Sequence, residues 1–271
     1  MTRAEKFEHF RSLHERPGIF VIPNPWDAGS AKMLTSLGFE ALATTSAGFA
    51  FSIAGRDRIG ELTRDAVLEN ARLIVEASPL PVSADLTDCF GADPGTCAQT
   101  IEMAVEVGLA GGSIEDATGD PAAPVFPLDQ AVERVAAAVE VAQRLGFVLT
   151  ARAEEWLYGK PDLDGTIERL NAFAKVGADV LYAPALPSLE AIAEVCANVP
   201  KPVNAVMGLR QPTWSVSELN DAGVTRISVG ASLARAAYGA MVEAAREILD
   251  EGTFTYSGRA LPGAEIARLL A

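Results

Sequence analysis

Three side chains in this sequence stand where chemistry can be done. Asp85 closes the segment PVSAD, Glu115 and Asp116 close GGSIED, and Arg152 closes FVLTAR with Glu154 two residues on. Asp85 and Glu115 are hard oxygen donors of the kind that Mg²⁺ or Mn²⁺ takes. Mg²⁺ needs only one or two carboxylates, because it keeps waters or substrate oxygens for the rest of its shell. Arg152 carries a planar fork that can hold a carboxylate or phosphonate through two hydrogen bonds. The three together describe a site for a small dianionic substrate, chelated by metal on one side and clamped by arginine on the other. Plainer readings compete: an Asp at a strand end often caps the next helix, and Arg152 can simply neutralise Glu154 or Glu115.

What is missing narrows the chemistry further. The two histidines, His9 and His14, both fall in the first helical stretch, which sets aside Ser-His-Asp and Cys-His sites and histidine-ligated zinc. Cys89, Cys97 and Cys196 are scattered and form no C-x-x-C pair, so neither a disulfide framework nor a zinc site is readable. Cys89 reads as a small buried filler beside Asp85. None of Lys6, Lys32, Lys160, Lys175 and Lys201 occupies a strand, which argues against a Schiff base. The first turn is PNPWDAG rather than G-x-G-x-x-G, so a dinucleotide fold loses ground. Proton transfer is left to carboxylates, Tyr, Cys, Lys or water.

The elements that must position these residues alternate along the chain. Strands are predicted over 18–23, 41–45, 81–85, 111–116, 147–152, 179–184, 202–207 and 226–230. Helices are predicted near 27–37, 62–77, 94–107, 128–144, 163–176, 188–197, 215–222 and 231–250. Eight such units with near-continuous apolar strands imply an α/β fold, a (β/α)8 TIM-type barrel, and a single domain over 1–271. An extra N-terminal helix over about residues 3–15 is expected to cover the barrel bottom, and the apolar tail TFTYSGRALPGAEIARLL to dock on or exchange with a neighbouring subunit. In such a barrel, function gathers at the C-terminal strand ends. There lie Asn24, Trp26 and Asp27, then Ser46, Ala47 and Gly48, then Asp85, Thr87 and Asp88. Glu115 and Asp116, Arg152 and Glu154, Tyr182, Asn204, and Gly230 with Ser232 follow on the later strands.

With 49% hydrophobic and 21% charged residues the chain can bury a large core, and its net charge of −14 disfavours nucleic acid or an anionic membrane as partner. No apolar run reaches the length of a membrane span, and the start lacks a signal-peptide core, so a cytoplasmic protein is expected.

The segments PNPWDAGSAKMLTSLGFEALATTSAG, AGRDR, PVSADLTDCFG, GGSIEDATGD, LTARAEEWL and PVNAVMG, in this order, resemble the isocitrate lyase / phosphoenolpyruvate mutase superfamily from about residue 17 to 250. The resemblance implies a barrel whose eighth helix is exchanged between subunits in a homodimer or homotetramer. It also implies Mg²⁺ (or Mn²⁺) and an α-keto acid or its enolate as ligands. It assigns Ser46, Ala47 and Gly48 to the substrate's carboxylate and keto oxygen, and Asp57 to the metal's waters. Asp85 becomes the main metal ligand, Glu115 a ligand acting through water, Arg152 the substrate-anion arginine, and Asn204 a polar pocket residue. Asp57, Glu115 and Arg152 are thereby the expected catalytic residues. The sequence departs from that pattern in two places. ATGDPAAPVFP carries no Cys, His or Lys where the isocitrate and methylisocitrate lyases have them, and Ala117 replaces the Lys of the phosphonate mutases. Thr87 stands where a second metal-loop Asp is usual. These features point to a carbon–carbon lyase or decarboxylase on an oxaloacetate-like or 2-hydroxy dicarboxylate, with Tyr182 or water returning the proton. Phosphorus–carbon chemistry of the phosphonomutase or phosphonopyruvate hydrolase kind is the alternative, and a non-catalytic keto-acid-binding barrel is a third reading.

Overall fold

Eight short strands form the centre of the computed structural model, which describes residues 1–271. They are β1 (Phe20–Ile22), β2 (Leu42–Ala43), β3 (Val82–Asp85), β4 (Gly111–Glu115), β5 (Val148–Arg152), β6 (Val180–Tyr182), β7 (Val203–Val206) and β8 (Arg226–Ser228). All named pairs are parallel, in the order β1-β8-β7-β6-β5-β4-β3-β2. Between β2 and β1 the ring is joined by the Ala43 N–H, which donates to the Pro23 carbonyl at 3.0 Å. The sheet is thus a nearly closed barrel, as the alternating sequence predicts.

Helices α1 (Arg3–Glu15), α2 (Ala28–Ser36), α3 (Ser46–Ser52), α4 (Arg64–Ala77), α5 (Pro94–Glu106) and α6 (Leu128–Leu145) belong to the first half. The second half holds α7 (Leu163–Lys175), α8 (Leu189–Asn198), α9 (Val216–Asp221), α10 (Ser232–Glu251) and α11 (Gly263–Leu270). Side-chain caps start most of them: Asp27, Thr63, Asp93, Asp162, Ser188 and Ser215 each accept a backbone N–H of the first turn. Two helices were not anticipated. Residues 46–48, expected as a loop, are the first turn of α3, whose cap is Thr45. The tail forms α11, which lies on α2 of the same chain, buries Leu269 and receives Lys32 Nζ on the Leu270 carbonyl at 3.0 Å.

The bottom of the barrel is covered by α1, as expected. Phe10 and Leu13 are fully buried there, and Gly111 is glycine because a Cβ would meet Phe10 Cε1 and the Val148 carbonyl, each at 2.7 Å. At the other end of the chain, α10 buries only Ala234, while Met241 and Leu249 are 60% and 83% exposed. No helix is long and apolar enough to cross a membrane.

Candidate active site

Cross-strand register sets the site. Glu115 pairs with Arg152, Arg152 with Tyr182, Tyr182 with Asn204 and Asn204 with Arg226, so one row of polar side chains runs from β4 to β8. Arg152 is its hub. Its Nη1 lies 2.8 Å from Glu115 Oε1 and 3.3 Å from Asp85 Oδ1, and its Nε donates to Glu154 Oε1 at 2.7 Å. The guanidinium stacks over the Tyr182 ring at 4.8 Å. Arg152 Nη2 has no protein partner and the side chain lines the central cavity, so one face of the fork is open to a ligand. Arg152 therefore does neutralise its neighbours, and retains donors beyond that duty.

Asp85 is held from several sides. Its Oδ2 accepts the Ser46 hydroxyl at 2.7 Å and the Ser46 N–H at 3.2 Å, and its backbone N–H donates to Thr44 Oγ1 at 3.0 Å. Burial pushes the Glu115 carboxyl well above the ordinary carboxylate range; Arg152 opposes this, and the charges of Glu154, Asp85 and Asp57 add to it. Asp57 is raised too, by desolvation first and then by Asp85. Glu154 is wholly buried, is raised by burial, and leaves Oε2 without a partner. Burial would discharge Arg152, but Glu115, Glu154, Tyr182 and Asp85 together hold it firmly charged.

The cavity above the strands measures about 640 Å³ and brings together Ser46, Ala47, Asp57, Asp85, Glu115, Arg152, Tyr182 and Asn204. Gly48 is not in its wall. It packs inward, where a Cβ would meet Thr45 Cγ2 at 2.6 Å and Trp26 Cβ at 3.0 Å. Asp88 is also absent from the wall, because its Oδ1 is spent on Thr87 Oγ1 and the Phe90 N–H in its own loop. Cys89 is buried against Cys97 as a filler. Asn24 stitches strands, donating to the Thr44 carbonyl and accepting the Val229 and Gly230 N–H groups. Asn204 is fixed between Arg226 Nε at 2.8 Å and Ser228 Oγ at 3.0 Å. Tyr182 lies under Arg152 and is pushed upward by burial.

Sequence reasoning missed several members of this wall, among them Arg226 and Tyr158. Arg226 is buried with only neutral partners, Asn204, Thr150 Oγ1 and His14 Nε2, and burial lowers it to about 10. A charged residue inside the apolar strand RISVG was the available signal. Tyr158, in the loop after β5, borders the cavity and is pushed up to about 12 by desolvation and by Glu115 and Glu154.

The residues present fit a hard divalent cation. Three carboxylates, on Asp85, Glu115 and Glu154, share one guanidinium, and a fourth, on Asp57, stands at the mouth, so negative charge exceeds its local compensation. No three Asp, Glu, His or Cys side chains converge as a complete ligand cage, which suits a cation that takes one or two carboxylates and fills its shell with other oxygens.

A (β/α)8 barrel with clustered carboxylates around one buried arginine at its strand ends is what the chain presents, and the comparisons with known proteins assign its family. Residues 10–249 match the phosphoenolpyruvate phosphomutase family. The chain belongs to this family, within the isocitrate lyase / phosphoenolpyruvate mutase superfamily of lyases and mutases. A crystal structure from Burkholderia cenocepacia J2315, of a protein provisionally assigned as a lyase/mutase, superposes with a TM-score of 0.96 at 53% identity, covering 99% of this chain and 96% of that one. The 2-methylisocitrate lyase of Escherichia coli K12 is 27% identical over 252 residues, 90% of this chain and 84% of that protein. An oxaloacetate acetylhydrolase solved with its product oxalate has a TM-score of 0.87 at 26% identity, with 98% and 94% coverage.

Proposed function

We propose that the protein is a Mg²⁺-dependent carbon–carbon lyase that forms the enolate of a small α-keto acid, with an oxaloacetate-like or 2-hydroxy dicarboxylate as substrate. The observation that carries this reading is the open Nη2 of Arg152 beside the carboxylates of Asp85 and Glu115. Arg152 holds the distal carboxylate, and the keto-acid head lies along Ser46 and Ala47. A divalent cation held by Asp85 and Glu115 supplies electron withdrawal at the keto oxygen. In decarboxylation the bond between C3 and the distal carboxyl breaks and CO₂ leaves. The electron pair enters C2–C3 with charge on the C2 oxygen, and a proton from water or Tyr182 returns to C3.

The loop after β4 favours decarboxylation within this class. Ala117 bridges Val125, and the Thr118 N–H donates to the Pro124 carbonyl at 3.0 Å, so residues 117–126 close on themselves outside the cavity wall. Their one ionisable side chain, Asp120, accepts the Ala122 N–H within the loop and none of them lines the cavity, so they bring no base to it, and loss of CO₂ from a β-keto acid needs none. Phosphorus–carbon cleavage remains the second reading, favoured by the match to the phosphomutase family. The test is turnover with Mg²⁺ on oxaloacetate, 2-hydroxy dicarboxylates and phosphonopyruvate. Metal-dependent pyruvate from oxaloacetate, reduced at least about 100-fold in Arg152→Ala, is expected. Phosphate from phosphonopyruvate alone would move the assignment to the second reading, and ligand binding without turnover would leave a keto-acid-binding barrel. The same reading places the enzyme in the cytoplasm as a homodimer or homotetramer in which a partner covers, or exchanges with, α10.

A further inference from the structure

Above its carboxylate floor the cavity is rich in arginine. The chain as a whole carries −14, yet the acids of the cavity wall are only Asp57, Asp85 and Glu115, while Arg56, Arg58, Arg152, Arg210, Arg226 and Arg235 all face it. Three of these arginines are otherwise accounted for. Arg152 serves the carboxylate floor, Arg226 is locked between Asn204, Thr150 and His14, and Arg235 Nη1 donates to the Leu209 carbonyl at 2.7 Å. The guanidinium groups of Arg56, Arg58 and Arg210 make no hydrogen bond or ion pair within the chain. Elsewhere the surface arginines Arg11, Arg16, Arg72, Arg144 and Arg268 are paired with glutamates, while Arg246 and Arg259, scattered near the C-terminal end of the chain, are solvated without a partner.

The unpaired three come from the loop between α3 and α4 and from the loop after β7, which both border the cavity. Asp57 lies between Arg56 and Arg58 in the chain but forms no ion pair with either, so three guanidinium groups against one carboxylate leave this part of the wall with a positive excess that favours a visiting anion. The same wall carries apolar side chains, among them Leu62, Met207 and Trp214. A cavity of about 640 Å³ has the size that encloses much larger ligands than a four-carbon acid.

We propose that the cavity mouth is a second anion subsite, in which Arg56, Arg58 and Arg210 hold a terminal carboxylate or phosphonate carried on an aliphatic extension of the keto-acid substrate. The assignment rests on the reading that the keto-acid head sits at Asp85, Glu115 and Arg152. It extends the substrate class from a compact dicarboxylate to a keto or hydroxy acid with a charged far end.

Calorimetry with Mg²⁺ separates the two claims. The probes are oxalate for the head alone, 2-oxohexanoate for head and chain, 2-oxoadipate for head, chain and terminal carboxylate, and a terminal phosphonate of the same length. Wild type is expected to bind 2-oxoadipate or the phosphonate at least about ten-fold more tightly than 2-oxohexanoate. The tighter of the two names the terminal group. In the triple variant Arg56→Ala, Arg58→Ala, Arg210→Ala the ratio should fall to about one, with oxalate affinity unchanged as the control for folding. A ratio near one in wild type, or a ratio that survives the triple variant, overturns the subsite while leaving the head reading intact. Loss of oxalate binding by wild type with the arginine-dependent ratio preserved would retain the subsite and overturn the head.

Discussion

Arg152 is asked to serve three carboxylates at once, and its removal exposes what the arrangement costs. Glu154 is wholly buried and Glu115 nearly so, and both carboxyls are already raised by burial. In Arg152→Met they lose their counter-charge, so the metal-free variant should be about 3 kcal/mol less stable than wild type near pH 7. The sign with pH follows from the direction of the shifts. Carboxyls whose folded pKa is raised favour the fold below their unfolded value, and that contribution is lost as pH rises. The deficit should therefore shrink towards pH 4.5, and denaturant titrations at the two pH values check it. A deficit that does not change with pH would mean the carboxylates find another partner. At this scale Asp85, Glu115 and Arg152 were legible, because strand-end polar residues in a repeating βα pattern have few other places to be. Arg226 was not, since it gains its partners, His14 on α1 and Thr150 on β5, only when segments 212 and 76 residues away in the chain meet it.

Among the elements, α1 does more than cover the barrel. His14 donates Nδ1–H to the Phe10 carbonyl at 2.8 Å and takes an Arg226 N–H on Nε2, so it is held neutral, and burial with Arg226 lowers it to about 3. A histidine lowered in the folded state contributes stability that is present above its unfolded pKa and lost as pH falls. Wild type should thus lose stability relative to His14→Phe below about pH 6.5, with a slope approaching ~1.4 kcal/mol per pH unit. Parallel chemical denaturation curves at pH 7 and pH 5 measure this; parallel losses in the two proteins would contradict a neutral His14. Gly111→Ala, which drives a Cβ into Phe10 and the Val148 carbonyl, should cost about 2 kcal/mol and lower Tm. The eight strands and the helices between them were readable from apolar runs ended by glycine. Helix α3 was not, because seven residues with a glycine at position 48 carry too little periodicity. Helix α11 was hidden in a tail that read only as apolar.

For the whole molecule the unsatisfied surface is α10. Leu233, Met241, Val242, Ile248 and Leu249 are exposed along a 20-residue helix that buries only Ala234, an arrangement expected of a face that meets another copy. Sedimentation should find wild type as a dimer or larger, and Met241→Asp with Leu249→Asp should shift it towards monomer. A monomeric wild type would contradict the assembly. The tail's departure from the barrel was legible as apolar composition, whereas its return onto α2 depends on a contact between the two ends of the chain.

The central claim is that Asp85, Glu115 and Arg152 form a metal-assisted enolate site, and oxalate, which mimics the pyruvate enolate, addresses it most directly. Calorimetry of oxalate binding should be run on wild type and Asp85→Ala, each with and without Mg²⁺. Wild type is expected to bind only with Mg²⁺, and Asp85→Ala under neither condition. Oxalate binding that is indifferent to Mg²⁺ and to Asp85, or no binding by wild type at all, would contradict it.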